Sequence, residues 1–384
     1  MNKNLHYITF QNFPMFSANT IVTMKILSYL NKRDYNVSLV FPGRGDNKVS
    51  KSEILAFYDI KENIKIERTR YLLPFGKINL FNKSSFRVSH FLWSFFIWTK
   101  YLFKKIDHKN TVLMTRSSWI LYFFSKSKFN IIYECHKFSK LTHAIFRAVK
   151  DKDNCAFTFS NELLRDSFKL NALQKKNSII AHSSYDEKTF KQTEYKNKNK
   201  NQIIFVGRFT RFNKSRNLDF LIEAFSKNDL KNFDLKLIGG PKNIAEQLRA
   251  RIKELSIKNI TVIDYLPQDE LVEQLSTSEI GILINDGRDN HSRLHTSPVK
   301  YFEYIRSGLK VLAVDFESHR SLPYSNDISF FNEGDMDSFI NELLILSKKN
   351  VVMYPDIDQY SYEKKIESLL DLFARLEGLE PPTL

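Results

Sequence analysis

The chain has 384 residues, of which 42% are apolar and 26% charged, a size and balance suited to two or three globular domains. Its 11 glycines and 10 prolines exclude collagen-like and low-complexity chains, and its two cysteines, Cys135 and Cys155, cannot build a disulfide framework or a structural zinc site and fit a reducing compartment. The net charge of +15 is uneven: residues 1–200 hold 35 Lys and Arg against 15 Asp and Glu, residues 201–384 hold 23 against 28, so the front half suits an anionic leaflet, a phosphorylated acceptor or nucleic acid, unless its charge serves only solubility.

In chain order, strand-like runs fall at His6–Phe10, Val37–Phe41, Thr111–Thr115, Ile131–Glu134, Ala156–Phe159 and Ser178–Ala181. Helical patterns lie between several of them; Thr20–Lys32 puts Ile21, Met24, Leu27 and Leu30 on one face. The most apolar window, Phe86 to Phe103, carries Arg87, His90 and Lys100 and has too short an uncharged stretch to span a bilayer. It reads either as a core-packed helix or, with Lys104 and Lys105 behind its Phe and Trp residues, as one lying in a membrane surface. The opening residues show no secretory leader. These features point to a cytoplasmic chain with peripheral contact at the inner face of an anionic membrane.

Residues 191–202 are polar, Lys/Asn-rich and without periodicity, the pattern of a linker. The alternation then restarts with strands Ile203–Val206, Leu235–Ile238, Ile260–Tyr265, Ile280–Ile284 and Lys310–Val314. Helices Asn217–Ser226, Ile244–Leu255, Gln268–Ser276 and Val299–Arg306 separate them, and Tyr362–Leu376 closes the chain. The expected fold is α/β, with two Rossmann-like, doubly wound parallel-sheet domains facing a cleft. Residues 1–190 form the first, 191–202 the linker and 203–355 the second; the helix in 356–384 can pack on either body.

In open parallel sheets ligands bind beyond the carboxyl ends of the strands. Gly207 ends the first strand of the second body, and Arg208 and Lys214 follow in a loop. A guanidinium and an ammonium there suit a diphosphate, unless they are merely solvated loop cations; Arg211 and Arg216 are less constrained spares. Further on, in HTSPVKYFEYIRSG, Thr296 or Ser297 is a good helix N-cap, Pro298 fits the first helical position and Gly308 the C-terminal stop. The free N–H groups of that helix, near Thr296, Ser297 and Val299, make a second anion site. Glu303, inside the helix, can accept two hydrogen bonds from vicinal hydroxyls such as a ribose offers.

The order Gly-Arg…Lys, then Leu237–Gly240, then Thr-Ser-Pro-x-Lys-x-Phe-Glu-Tyr-x-x-Ser-Gly resembles the nucleotide-sugar half of a GT-B glycosyltransferase, most of all family 4 (group 1), strongly over residues 200–320. The resemblance implies that Arg208, Lys214 and the helix tip hold the donor diphosphate and that Glu303 holds the ribose. It implies retention of anomeric configuration, an NDP-sugar as co-substrate, no required metal or other cofactor, and a glycan or lipid-linked acceptor in cell-surface polysaccharide synthesis. The family usually has a Glu-x7-Glu pair; its first member falls on His295 here, beside the reacting sugar.

The front half is similar to the family's acceptor side. Phe13–Asn19, with Ser17 and Asn19, matches its acceptor-side loop, and IIYECHKF carries His136 where the family's histidine reaches the donor sugar. Arg116 follows the strand Thr111–Thr115 and points to the same region. Gly43-Arg-Gly45 is no dinucleotide fingerprint, and Asp151-Lys-Asp153 precedes a strand, so it reads as surface. No nucleic-acid-binding signature accompanies the basic residues, and no nucleic-acid partner is expected. The rival readings are a catalytically silent nucleotide-sugar-binding relative, a nucleic-acid binder resting on charge alone, and a GT-B-fold epimerase.

Overall fold

A computed structural model describes residues 3–43, 49–73, 83–191, 198–211 and 214–378. The described chain divides into two units, residues 1–181 with 362–384, and residues 182–361.

The first unit is built on a seven-stranded parallel sheet of β1 (Asn4–Ile8), β2 (Asn36–Gly43), β3 (Lys65–Arg70), β4 (Thr111–Thr115), β5 (Asn130–Cys135), β6 (Cys155–Phe159) and β7 (Ser178–Ile180). Its order is β3-β2-β1-β4-β5-β6-β7, so the direction of winding reverses between β1 and β4. Central strands are buried on both faces, which is why their sequences are nearly continuous apolar runs rather than alternating ones. Two cores flank the sheet. One gathers Leu5, Leu27, Leu39 and Met114 with the closing helix Tyr362–Leu376, which contributes Tyr362, Ile366, Leu369, Leu372 and Phe373. The other gathers Leu113, Ile131, Phe146 and Phe157 with Trp93, Ile97 and Tyr101 of the helix Lys83–Phe103.

The second unit has β8 (Gln202–Arg208), a two-stranded hairpin of β9 (Thr210–Arg211) and β10 (Lys214–Ser215), then β11 (Asp234–Gly240), β12 (Ile260–Ile263), β13 (Ile280–Leu283), β14 (Lys310–Val314) and β15 (Ser329–Phe331). Its six-stranded parallel sheet has the order β12-β11-β8-β13-β14-β15, which is the Rossmann order, with the reversal between β8 and β13.

The linker expected at 191–202 has residues 192–197 outside the described residues, as has most of Gly43-Arg-Gly45. The unit boundary falls earlier than the expected one, at Ala181. Segment 182–191 stays with the second unit because Ser183 pairs with Ser297, the Tyr185 N–H donates to the Tyr360 carbonyl, and Phe190 is buried among Tyr301, Phe302 and Tyr304.

Candidate functional site

In the second unit the carboxyl ends of β8 and β13 meet at the reversal of strand order. Gly207 has φ +151° and Gly239 φ +152°; a Cβ on Gly239 would lie 1.8 Å from the Gly207 carbonyl oxygen. Only glycine lets β8 and β11 stay paired to their ends, where Gly239 lies opposite Gly207 and Gly240 opposite Arg208. Arg208 is thereby the last residue of β8, still paired at the sheet's carboxyl end, with an exposed side chain.

Arg216 was expected to be a spare cation, and the structure corrects this. Its Nε donates to Asn285 Oδ1 at 2.8 Å, just beyond β13, and its guanidinium stands 5.7 Å from the Phe205 ring centroid. It also donates to the Arg208 carbonyl at 3.4 Å. Asn217, in the left-handed region at φ 59°, donates through Nδ2 to the Asn285 carbonyl at 3.2 Å. One guanidinium thus braces both strands of the reversal, a fixed cation in the place where a diphosphate binds in such sheets. Tyr265, after β12, lies within reach of the charges of both Arg208 and Arg216; burial raises its pKa and the two cations partly oppose that. Lys214 is placed by its backbone, opposite Arg211 in the β9–β10 hairpin; its side chain lies outside the described parts.

The helix Val299–Arg306 packs on the same sheet. Its Tyr304 hydroxyl accepts the Val206 N–H of β8 at 2.9 Å, and the Tyr304 ring lies where a Cβ on Gly281 would clash at 2.4 Å. This bond ties the helix that carries Glu303 to the strand that carries Arg208. Glu303 is 7% exposed and is paired with Lys300 one turn earlier, a cation that reading for anion-binding residues passed over.

The capping of this helix differs from expectation. Its N-cap is Pro298, which offers no side-chain bond, and Val299 is the first helical residue. The Thr296 hydroxyl donates to the His291 carbonyl at 2.9 Å, while the Ser297 hydroxyl accepts the Ser183 N–H at 3.0 Å. Pro298 gives the first turn no side-chain cap and its carbonyl takes the Tyr301 N–H at 3.1 Å, the open arrangement in which a helix N-terminus can take an anion. Gly308, at φ +72°, ends the helix as expected.

His295 closes the short helix Asn290–Leu294 and is 7% exposed. Burial holds its imidazole below the usual pKa, with the Asp289 charge opposing. A neutral imidazole can bond one sugar hydroxyl, but it supplies no negative charge where the glutamate of the resembled pair would.

In the first unit the residues singled out also gather at a reversal, that between β1 and β4. Arg116 follows β4, and His136 follows β5. Ser17 is the N-cap of the helix Ala18–Lys32, its hydroxyl accepting from the Thr20 N–H at 3.3 Å. Asn19 lies inside that helix's first turn rather than in a loop, with its side chain exposed. The Asn19 carbonyl accepts from Arg116 at 3.3 Å, so Arg116 braces the expected acceptor-side segment.

The group that fixes Arg116 is Glu134 in β5, which sequence reading missed. Its carboxylate takes Arg116 Nε at 3.0 Å and Nη2 at 3.4 Å, and the Tyr7 hydroxyl at 2.6 Å. The pair is nearly dry, with side-chain exposures of 9% and 3%. Burial pushes the Glu134 carboxyl up, but Arg116 and the neighbouring donors prevail and hold it well below the usual range. His136 Nε2 stands 3.9 Å from Glu134 and makes no hydrogen bond among the described residues. Burial, then Arg116, lowers its pKa to about 4 against the opposing pull of Glu134, and its side chain keeps 38% exposure. Lys365 of the closing helix joins the cluster, its pKa lowered to about 8 by burial. The missed signal was a glutamate inside the apolar run IIYEC, which burial tolerates only with a partner.

Among the described residues no group of three or more His, Cys, Asp and Glu is placed to hold a metal ion.

The fold is the two-domain GT-B fold. Residues 200–349 match the family described as Glycosyl transferases group 1. Three solved structures illustrate the likeness. The lipopolysaccharide outer core galactosyltransferase WaaB, in its apo form, is 13% identical with a TM-score of 0.63, over 96% of this chain and 99% of its own. TarM is 10% identical with a TM-score of 0.65, over 97% and 99%. HepE of Anabaena, solved with UDP, is 9% identical with a TM-score of 0.60, over 98% of each chain. Among curated proteins none matches.

Proposed function

We propose that the chain transfers a sugar from an NDP-sugar to a glycan or lipid-linked acceptor, with retention of configuration, in the synthesis of a cell-surface polysaccharide. The observation that carries this is the convergence in the second unit. Arg208 and the braced Arg216 stand at the strand-order reversal, and the Glu303 helix is bonded to the same strand. Two guanidiniums and a helix N-terminus are a diphosphate site. Because the leaving group is a nucleoside diphosphate, stabilising its growing charge is the main catalytic task.

Glu303 takes the ribose hydroxyls, with Lys300 releasing one carboxylate oxygen or remaining as a further cation beside the phosphates. His295 bonds a hydroxyl of the transferred sugar, and His136, neutral at physiological pH, can accept a hydrogen bond from a sugar hydroxyl. Lys214 adds charge to the diphosphate. Ser17, Asn19 and Arg116 shape the acceptor side. A peripheral place at the inner face of a membrane fits a lipid-linked acceptor. The donor is the sole co-substrate in this reading, so EDTA leaves the rate unchanged.

The test is a melting-temperature screen with UDP-, GDP- and ADP-sugars, followed by product analysis with the sugar that stabilises the chain. Arg208→Ala lowers turnover by about 10²–10³, the scale for losing one contact to developing charge. Binding with neither transfer nor hydrolysis would instead support the silent relative, for which His295 in place of the usual glutamate is the specific observation.

A further inference from the structure

The helix Lys83–Phe103 is apolar on two sides, and only one of them is covered. Trp93, Ser94, Ile97 and Tyr101 are buried against the sheet of the first unit. On the outward side Val88, Phe91, Phe95, Phe96, Leu102 and Phe103 are exposed, from 36% at Phe91 to 89% at Phe103. With Leu92, at 42%, they fall on one face of the helix, spaced by three and four from Val88 to Phe96 and resuming past Thr99 at Leu102 and Phe103. A lone large apolar residue on a surface is ordinary; a stripe of this length marks a contact.

The charge around the stripe says what it contacts. Residues 83–150 hold 13 Lys and Arg against two acids, Asp107 and Glu134, and Glu134 is buried against Arg116. Lys104 and Lys105 are exposed at the end of the stripe, Lys104 also reaching Glu67 at 3.3 Å. Lys126 and Lys128, also exposed, follow the helix Ser118–Phe124, whose Trp119 and Phe123 rings meet Phe91 at 4.8 and 5.5 Å.

We propose that this face docks on an anionic lipid bilayer. The helix lies in the plane of the headgroups, with its phenylalanines at the acyl boundary and its lysines on lipid phosphates. A second copy of the chain would bring the same excess of positive charge to the contact and be repelled. No helix among the described residues is long and apolar enough to cross a membrane. The packed Trp93 side holds the helix to its own sheet, so the contact is an in-plane one. The inference rests on exposure and charge in the first unit and stands or falls apart from the donor reading.

The test is flotation of the full chain with phosphatidylglycerol-rich vesicles and with pure phosphatidylcholine vesicles at low salt. Two of the three tryptophans, Trp98 and Trp119, lie against this face, while Trp93 is on the packed side, so quenching of the first two by brominated acyl chains reports its insertion. The wild type is expected to float with the anionic vesicles only and to be quenched. Phe96→Ser with Phe103→Ser is expected to weaken partitioning by about tenfold or more while leaving the melting temperature unchanged. Lys104→Glu with Lys105→Glu provides a second variant without apolar loss and is expected to weaken binding too. Wild type that stays with the unbound fraction, or variants that float equally well, would overturn the proposal. So would a micromolar dimer that the Phe96/Phe103 variant dissolves.

Discussion

Glu134→Gln isolates the charge in the first unit's buried cluster. The substitution keeps the volume of the side chain and leaves Arg116, 9% exposed, without its counter-ion. Removing one member of a buried ion pair costs about 3–5 kcal/mol, because the other charge is stranded away from water. With about 2–3 kcal/mol per M of urea for a body of this size, the unfolding midpoint should fall by about 1–2.5 M. Tryptophan fluorescence is the assay of choice, since Trp93, Trp98 and Trp119 all belong to the first unit and report its unfolding selectively. The double variant Arg116→Met with Glu134→Leu should recover most of the loss, as an apolar pair strands no charge. A single-variant midpoint equal to wild type, or a double variant worse than the single, would refute the assignment of Glu134 as the anchor of Arg116 and hence of the Asn19 segment.

The first unit should also weaken in mild acid. His6, His90 and His136 are each held at about 4, chiefly by burial, below the ordinary 6.5. The unfolded chain therefore takes up protons first as pH falls, so stability is intact above the unfolded value and declines between about 6.5 and 4. His136, with 38% of its side chain open, contributes least. Urea midpoints by fluorescence that stay constant from pH 7.5 to 5 would contradict this. Gly239→Ala would drive a methyl to 1.8 Å from the Gly207 carbonyl and should prise apart the ends of β8 and β11, lowering both melting temperature and nucleotide affinity; calorimetry on the purified variant checks both. Lys310→Ala breaks a buried pair with Glu279, each 3% exposed, at the amino ends of β14 and β13. It should cost about 3–5 kcal/mol of stability yet leave affinity for a nucleoside diphosphate unchanged at low temperature, because ligands bind at the opposite end of the sheet.

Much of the second unit was legible because its punctuation is local. Pro298 and Gly308 bracket a helix whose bounds, Val299–Arg306, are those read from the sequence. The strand Lys310–Val314 follows as an unbroken apolar run. What escaped was set by partners distant in the chain. β3 reads KIERTR, with four charges in six residues, and is a strand because it adds to the sheet edge beside β2, where Glu67 can reach Lys100. β15 is three residues long, too short for a periodicity to appear. Arg216 and Arg208 look alike in sequence; only the Asn285 side chain, 69 positions on, shows which one is braced. Glu134 likewise needed Arg116 and Tyr7, brought together by the parallel register of β1, β4 and β5. The helix Lys83–Phe103 was open between a core-packed and a membrane-surface reading; the structure shows one side packed against the sheet and the other largely exposed.

Titration calorimetry of the full chain with UDP and GDP, alongside Arg208→Ala and Arg216→Ala, bears most directly on the second unit as a diphosphate site. At least one of the two nucleotides should bind the wild type, and each substitution should raise Kd by about tenfold or more, the loss expected on removing one charge-assisted contact. Equal affinity in the wild type and both variants, or no heat with either nucleotide, would contradict the convergence of these two cations on a pyrophosphate.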